Sequence, residues 1–322
     1  MNLRFVLNRL CAARAPGIGN RKPGMMLLYN LLLPEATLGL PLWLACVFIA
    51  MLGAIIGSFL NVIVHRLPRE ESIVFPNSRC PHCGTAIKPY DNIPVISYLI
   101  LRGRCRSCGA AISPRYPAIE AFTAFLYIAV FLSDGATPAL AFDLVFTTAL
   151  IALIFIDAEH MLLPNAITYP GILFAILARV AVPLMMGRPF FDDLEAQMTG
   201  APAHWPMWAA SLLGAGIGAL AGGGSLWLMG WLWERMQGVE AMGLGDVKMM
   251  FMVGAYMGWR LTTVTIFLAV LSGSLTGIAL MLVRGQKDMK MRLPFGIFLG
   301  AGAIVSLLVG GYIVAWYASK FQ

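Results

Sequence analysis

The chain has 322 residues, of which 59% are hydrophobic and 12% charged, with a mean hydropathy of +0.77 and a net charge of +7. A soluble domain carries roughly twice that charged fraction, so the composition excludes a water-soluble enzyme and points to an all-α, polytopic helical membrane protein. The positive charge is no nucleic-acid footprint, because the basic residues gather in short loops between apolar runs and there set orientation in a bilayer; the expected surroundings are lipid, with no nucleic-acid partner.

Residues 1–38 form an N-terminal extension with basic residues Arg4, Arg9, Arg14, Arg21 and Lys22. It shows no signal-peptide cleavage pattern, and a flexible extension, an interfacial helix around Met25–Leu33 and an upstream start all fit it. Eight spans follow, each read from an apolar run near the length that crosses a bilayer: roughly 40–63, 116–133, 138–156, 166–186, 207–232, 247–259, 262–283 and 295–317. The sixth is short and carries Gly254 and Gly258, so it is expected to be tilted, broken or partly covered by protein. The organisation expected is an N-terminal part, 39–133, with two spans and a long loop (64–115), and a six-span part, 134–322.

That loop carries Cys80-Pro-His-Cys83 and Cys105-Arg-Ser-Cys108, with 21 residues between Cys83 and Cys105. Two C-x2-C pairs at this separation are a zinc signature, and four thiolates close a tetrahedron with no position left for substrate, so the ion is structural. Gly84 and Gly109 follow the second cysteine of each pair, where the knuckle needs positive φ. The alternative, two disulfides, conflicts with a loop facing a reducing compartment. Cys11 and Cys46 stand outside the quartet as structural thiols.

Arg66, Arg69, Arg79, Lys88, Arg102, Arg104, Arg106 and Arg115 outnumber Glu70, Glu71 and Asp91 in the loop, which places it in the cytoplasm. Alternation then puts 157–165, 233–246 and 284–294 on the same side. The last of these is independently basic (Arg284, Lys287, Lys290, Arg292), whereas 187–206, with Asp192, Asp193 and Glu195, falls outside.

Acids at span edges are costly and are functional suspects. Asp157 ends the third span, and Asp246 opens the sixth in Gly243-Leu244-Gly245-Asp246. Topology puts both at the cytoplasmic boundary. Two close carboxyls cannot both ionise easily, so one takes a proton from water while the other donates to a peptide carbonyl. Gly243 and Gly245 leave room for a substrate strand beside Asp246. Taken alone, Asp246 also reads as a helix-start residue favoured by the dipole; Asp157, at a helix C-terminus, is disfavoured by its own. Glu159 and His160 are expected in a wet loop, Lys248 as an edge anchor, and Gly57, Ser58 and Asn61 in helix packing, with substrate contact as the other reading.

These residues resemble an ordered set known from bacterial type IV prepilin peptidases, the GxGD-type aspartic proteases that are also prepilin N-methyltransferases. Gly57-Ser58-Phe59-Leu60-Asn61-Val62 with Arg66-Leu67-Pro68 resembles the N-terminal signature. The two cysteine pairs follow, then Ile112-Ser113-Pro114-Arg115-Tyr116-Pro117 with Glu120. Asp157 with Leu163-Pro164 comes next, then Gly243-Leu244-Gly245-Asp246 and finally Pro294-Phe295-Gly296. The similarity covers about residues 50–305.

The resemblance implies an inner-membrane aspartic endopeptidase with Asp157 and Asp246 as catalytic pair, cutting the basic leader of type IV pilus prepilins or type II secretion pseudopilins at the cytoplasmic face. It also implies methylation of the new N-terminus with S-adenosylmethionine, with the zinc loop and Glu120 in the methyltransferase region. Glu120 is expected to pair with Arg115. The chain departs from the family pattern at Glu159 and Asn165, where Asp is common, and at Ile297, where Pro is usual. Two other readings stay open: a peptidase without methylation, and a non-enzymatic transporter or scaffold with a zinc docking loop. A basic leader needs counter-charge, for which Glu70, Glu71, Asp91, Glu159, Glu234, Glu240 and anionic lipid are available.

Overall fold

The computed structural model describes residues 37, 39–187, 190, 205–238, 242–284 and 294–320. The N-terminal extension up to residue 36, Cys11, the acids at 192, 193 and 195, Glu240 and the basic residues 287, 290 and 292 lie outside the described residues. The described part is helical: α1 (Leu42–Arg66), α2 (Ile96–Ile100), α3 (Arg115–Asp134), α4 (Pro138–His160), α5 (Asn165–Met186), α6 (Met207–Ala219), α7 (Ser225–Gln237), α8 (Leu244–Arg284) and α9 (Phe295–Ala318). Among the described residues the only β pairing is two isolated bridges in the loop between α1 and α3.

Seven helical runs are long and apolar enough to cross a membrane: α1, α3, α4, α5, α6 continuing through a π turn (Leu220–Gly224) into α7, α8, and α9. The protein is thus a multi-pass helical membrane protein. The eight expected spans become seven runs because the sixth and seventh both lie in α8. A straight 41-residue helix would be about 62 Å long at 1.5 Å per residue, twice the hydrocarbon thickness. Gly258 breaks it, at φ +80° and ψ 170°, a region that essentially only glycine enters.

The first arm, 244–257, is therefore short. Protein covers it: Met249, Met250, Met252, Val253 and Tyr256 are fully buried. Its neighbour is the glycine-rich end of α6 and the π turn. A Cβ on Gly218 would lie 2.1 Å from the Gly254 carbonyl oxygen, and one on Gly222 would lie 2.5 Å from that of Met250. Backbone meets backbone there, which only small residues allow.

α1 packs on α3 in the same manner. A Cβ on Gly57 would meet Glu120 Cα at 2.7 Å. Asn61 Nδ2 donates to the carbonyls of Gly57 (3.2 Å) and Tyr116 (3.1 Å), joining the two helices. Gly57 and Asn61 thus take the packing role expected of them. α4 is the shared element, packing on α1, α3, α5 and α9, and it carries Asp157 near its last turn.

Candidate active site and metal centre

α4 continues to His160, so Glu159 and His160 are helical rather than in a loop. Met161 caps the helix in the left-handed region (φ +50°), its N–H donating to Asp157 O at 2.9 Å. Leu163 and Pro164 then turn the chain into α5. The Pro164 carbonyl accepts from the N–H groups of Ile167 and Thr168, which begins that helix.

The Asp157 carboxylate is buried and lies at the N-terminus of α9. Oδ2 accepts the Ile297 N–H at 3.1 Å, with the Gly296 backbone packed beside it. The N-terminal dipole of α9 thus offsets the unfavourable C-terminal end of α4. Gly296 is required by contact, since a Cβ there would sit 2.8 Å from Oδ2. A proline at 297 would have no N–H to give; isoleucine adds that hydrogen bond.

Asp246 is half-buried in the first turn of α8, its N–H donating to Gly243 O at 3.1 Å. It lies within electrostatic reach of Asp157. Leu163 wedges the two sides together: a Cβ on Gly245 would fall 3.0 Å from Leu163 Cβ, and one on Gly296 would fall 3.2 Å from Leu163 Cδ1. The space beside Gly245 is therefore filled by Leu163 and not left for a substrate. The space beside Gly243 is open, with Asp246 Oδ2, at 3.9 Å, the nearest atom a Cβ would meet.

Lys248 sits one short step along the arm. Its Nζ donates to Asn165 Oδ1 at 2.9 Å and lies 5.2 Å from the centre of the Tyr169 ring. Glu159 pairs with Arg115, Oε1 to Nη2 at 2.5 Å, tying the end of α4 to the start of α3. Arg115 is thus not the partner of Glu120. The buried Glu120 carboxylate instead accepts the Val95 N–H at 2.7 Å, with Ser58 within its electrostatic reach. Val95, a β-branched residue at φ +59°, is strained there, and the hydrogen bond from its N–H holds it at the head of α2.

In the loop, Cys80, Cys83, Cys105 and Cys108 converge, all four sulfurs within 4.8 Å of one another. All are free thiols, which disposes of the disulfide alternative; Cys80 Sγ and Cys108 Sγ are 3.8 Å apart. Tetrahedral metal–sulfur bonds of about 2.3 Å need sulfur–sulfur edges of about 3.8 Å, so this set can hold a metal ion.

The two pairs have the same local design. Gly84 N–H donates to Cys80 O and Gly109 N–H to Cys105 O, both at 2.9 Å, with both glycines at positive φ. Bridges Arg79–Ala86 and Arg104–Ala111 close each turn. The Thr85 hydroxyl, and then its backbone, hold the Cys83 thiol down to about 6. Cys108 in the same set is instead pushed up to about 11, so the four thiols do not all favour the thiolate that binds metal. Arg106, inside the second pair, grips Asp91 with Nε 2.9 Å from both carboxylate oxygens and Nη2 2.6 Å from Oδ1. Asp91 and Glu159 are therefore engaged by arginines, and Glu70, Glu71 and Glu234 remain as exposed acids.

The sequence reading passed over a second buried polar cluster at the other end of α4, formed by Asp143, Tyr256 and Arg179. The available signal was a charge inside each of the spans 138–156 and 166–186.

Two family profiles match the chain: the bacterial peptidase A24 N-terminal domain over residues 51–133, and the type IV leader peptidase family over 144–282. A prepilin leader peptidase/N-methyltransferase of Aeromonas hydrophila is 36% identical over 314 residues, covering 90% of this chain and 99% of the relative. The chain belongs to the type IV leader peptidase family. Proteins of the same description from Pseudomonas aeruginosa (35% over 290 residues; 83% and 91% covered) and Dichelobacter nodosus (35% over 293; 83% and 92%) agree. No solved structure matches. The leader peptidase profile takes in Asp157, Leu163, Pro164, Gly243, Gly245 and Asp246, and the N-terminal profile takes in the four cysteines and Glu120.

Proposed function

We propose that this chain is an inner-membrane aspartic endopeptidase that removes the leader of type IV prepilins or type II secretion pseudopilins at the cytoplasmic face, with Asp157 and Asp246 as its catalytic pair. What supports this reading is that two carboxyls from separate helices lie within electrostatic reach of each other, one fixed by the N-terminus of α9 and the other beside the open backbone of Gly243. One carboxylate takes a proton from water, the water attacks the peptide carbonyl, and the other carboxyl donates to the carbonyl oxygen. A proton then passes to the leaving amine. The pair titrates as a unit. A substrate with a basic leader and an apolar helical stem lies in the same bilayer, which brings its cleavage point to the depth of the aspartates and lowers the orientational cost. Glu70, Glu71, Glu234 and anionic lipid supply counter-charge to the leader.

The relatives' description supports a second activity, N-methylation of the new terminus with S-adenosylmethionine as methyl donor. It belongs to the N-terminal part, where Cys80, Cys83, Cys105 and Cys108 hold a structural Zn²⁺ and Glu120 anchors the loop to the span through Val95. Sulfur-only ligation favours zinc, and the ion shapes the loop without contacting substrate.

The test is purified full-length protein mixed with a prepilin, with and without S-adenosylmethionine, followed by mass spectrometry of the pilin N-terminus. The expected result is leader loss in both samples and one added methyl group only with the donor. Cleavage without methylation leaves a peptidase alone, and absence of cleavage contradicts the reading.

A further inference from the structure

The buried polar cluster far from the aspartates has no part in the chemistry above, yet it joins the same two helices. Asp143 lies near the start of α4 and Tyr256 near the end of the first arm of α8. The Tyr256 hydroxyl donates to Asp143 Oδ1 at 2.8 Å. Asp143 also interacts with Asp134, at the end of α3. Tyr256 is stacked on Phe146 (centroids 4.0 Å apart, planes at 12°) and meets Phe190 edge-on at 5.1 Å. Arg179, from α5, is 2% exposed. Its Nε donates to Ala255 O at 3.1 Å, and its guanidinium lies 5.5 Å from the Phe190 ring centre. Arg179 thus gives a carbonyl of the arm's last turn, next to the Gly258 break, a side-chain donor.

Tyr256 is fully buried and Asp143 is 5% exposed, so no substrate reaches this cluster. Along the helices it lies about 21 Å from Asp157 on α4 and about 15 Å from Asp246 on the arm, at 1.5 Å per residue. Any influence on the aspartates therefore runs through the helices. The catalytic end cannot set their register by itself, because two carboxyls do not attract each other. A helix pinned at that end by Leu163 and by the Lys248–Asn165 hydrogen bond can still roll at its other end.

We propose that Asp143, Tyr256 and Arg179 are positioning residues: a clamp at the far end of α4 and of the broken arm that fixes the height and rotation of Asp246 against Asp157. The proposal rests on the reading of those two aspartates as the catalytic pair. The arm is held at both ends, by Leu163 against Gly245 and by Tyr256 against Asp143. The glycine seam of α6 fits along its side, and Arg179 ties down the end next to the Gly258 break.

Tyr256→Phe keeps the ring stack and removes only the hydroxyl. Asp143→Asn keeps an oxygen that can accept from the tyrosine, whereas Asp143→Leu does not. Full-length variants are assayed for kcat and KM on a prepilin. In parallel, each is combined with Asp157→Cys and Asp246→Cys and treated with a short bifunctional thiol reagent, the linked peptides being read by mass spectrometry. The expected result is a fall in kcat of about 10- to 100-fold for Tyr256→Phe and Asp143→Leu, the scale of a displacement near 1 Å. KM is unchanged, the crosslinking yield falls in parallel, and Asp143→Asn restores both. If Asp143→Leu does not fold, Tyr256→Phe and Asp143→Asn decide.

A wild-type kcat in Tyr256→Phe overturns the proposal, as does a change confined to KM or a fall in kcat with crosslinking unaltered. The crosslinking arm needs no activity. A wild-type protein that cleaves nothing therefore refutes the peptidase reading, and a Tyr256→Phe yield equal to that of the parent pair refutes the clamp.

Discussion

Asp157→Asn and Asp246→Asn, made singly, are each expected to lower prepilin cleavage by about 10²–10⁴-fold, the range of a lost general acid or base, while the protein still inserts and folds. Asparagine has nearly the size of aspartate, so the ends of α4 and α8 keep their packing. At 157 the amide oxygen can still accept the Ile297 N–H that now binds the carboxylate. What is lost is the ability to hold and release a proton. In the proposed mechanism the two residues act on one water, so the double variant is expected to be no slower than the slower single one. Cleavage of a purified prepilin by purified protein gives all three rates. A single variant at near-normal rate would remove that residue from the mechanism, and additive losses would mean two independent roles.

The second large effect concerns the metal. Cys105→Ser or Cys80→Ser removes one corner of a four-sulfur set whose members lie within 4.8 Å of one another. Structural zinc in small domains contributes about 10–16 kcal/mol of apparent binding energy, and that energy is folding energy. The segment between α1 and α3 has otherwise only scattered polar ties, among them turn hydrogen bonds, two isolated bridges, Arg66 on the Ser72 and Pro76 carbonyls, the Ser97 hydroxyl bonds, the Arg106–Asp91 pair and the tether of Val95 to Glu120. Loss of one ligand is therefore expected to drop the bound metal from one per chain to near zero and to open the loop to protease. The helical bundle should stay intact. Metal analysis with limited proteolysis of the same samples checks both points. Full metal content in a serine variant, or a loop that resists protease without its ion, contradicts a structural metal site.

Much of this architecture is legible in the sequence because its signals are strong and local. Runs of about 20 apolar residues mark the spans, and the spacing of Cys80, Cys83, Cys105 and Cys108 marks their convergence. The glycines at 254 and 258 flag the sixth span as unusual. They do not reveal that the sixth and seventh spans are two arms of one run, because hydropathy cannot separate a one-residue break from a short loop. Glu159 and His160 look like loop residues by polarity, yet the last turn of α4 carries them and Arg115 pairs with Glu159. Glu120 is near Arg115 in sequence, but its position on α3 turns it toward Ser58 and Val95. The positive φ of Val95 contradicts the residue's own preference, so no propensity could announce it. Gly245 looks like room for substrate until Leu163, from the turn between α4 and α5, is seen to fill it. Asp143 and Arg179 vanish into windows whose average stays apolar, and only their long-range partners, Tyr256 and the Ala255 carbonyl, give them meaning.

The pairing of the aspartates is what the proposed chemistry needs most, and crosslinking in the otherwise unaltered chain tests it without relying on turnover. Cysteines are placed by Asp157→Cys and Asp246→Cys together, the membrane-embedded protein is treated with the short thiol reagent, and the linked peptides are quantified. A high yield joining the end of α4 to the start of α8, absent from either single variant, is the predicted result. No linkage in a folded double variant, or linkage of either position only to a native cysteine, would contradict a shared site.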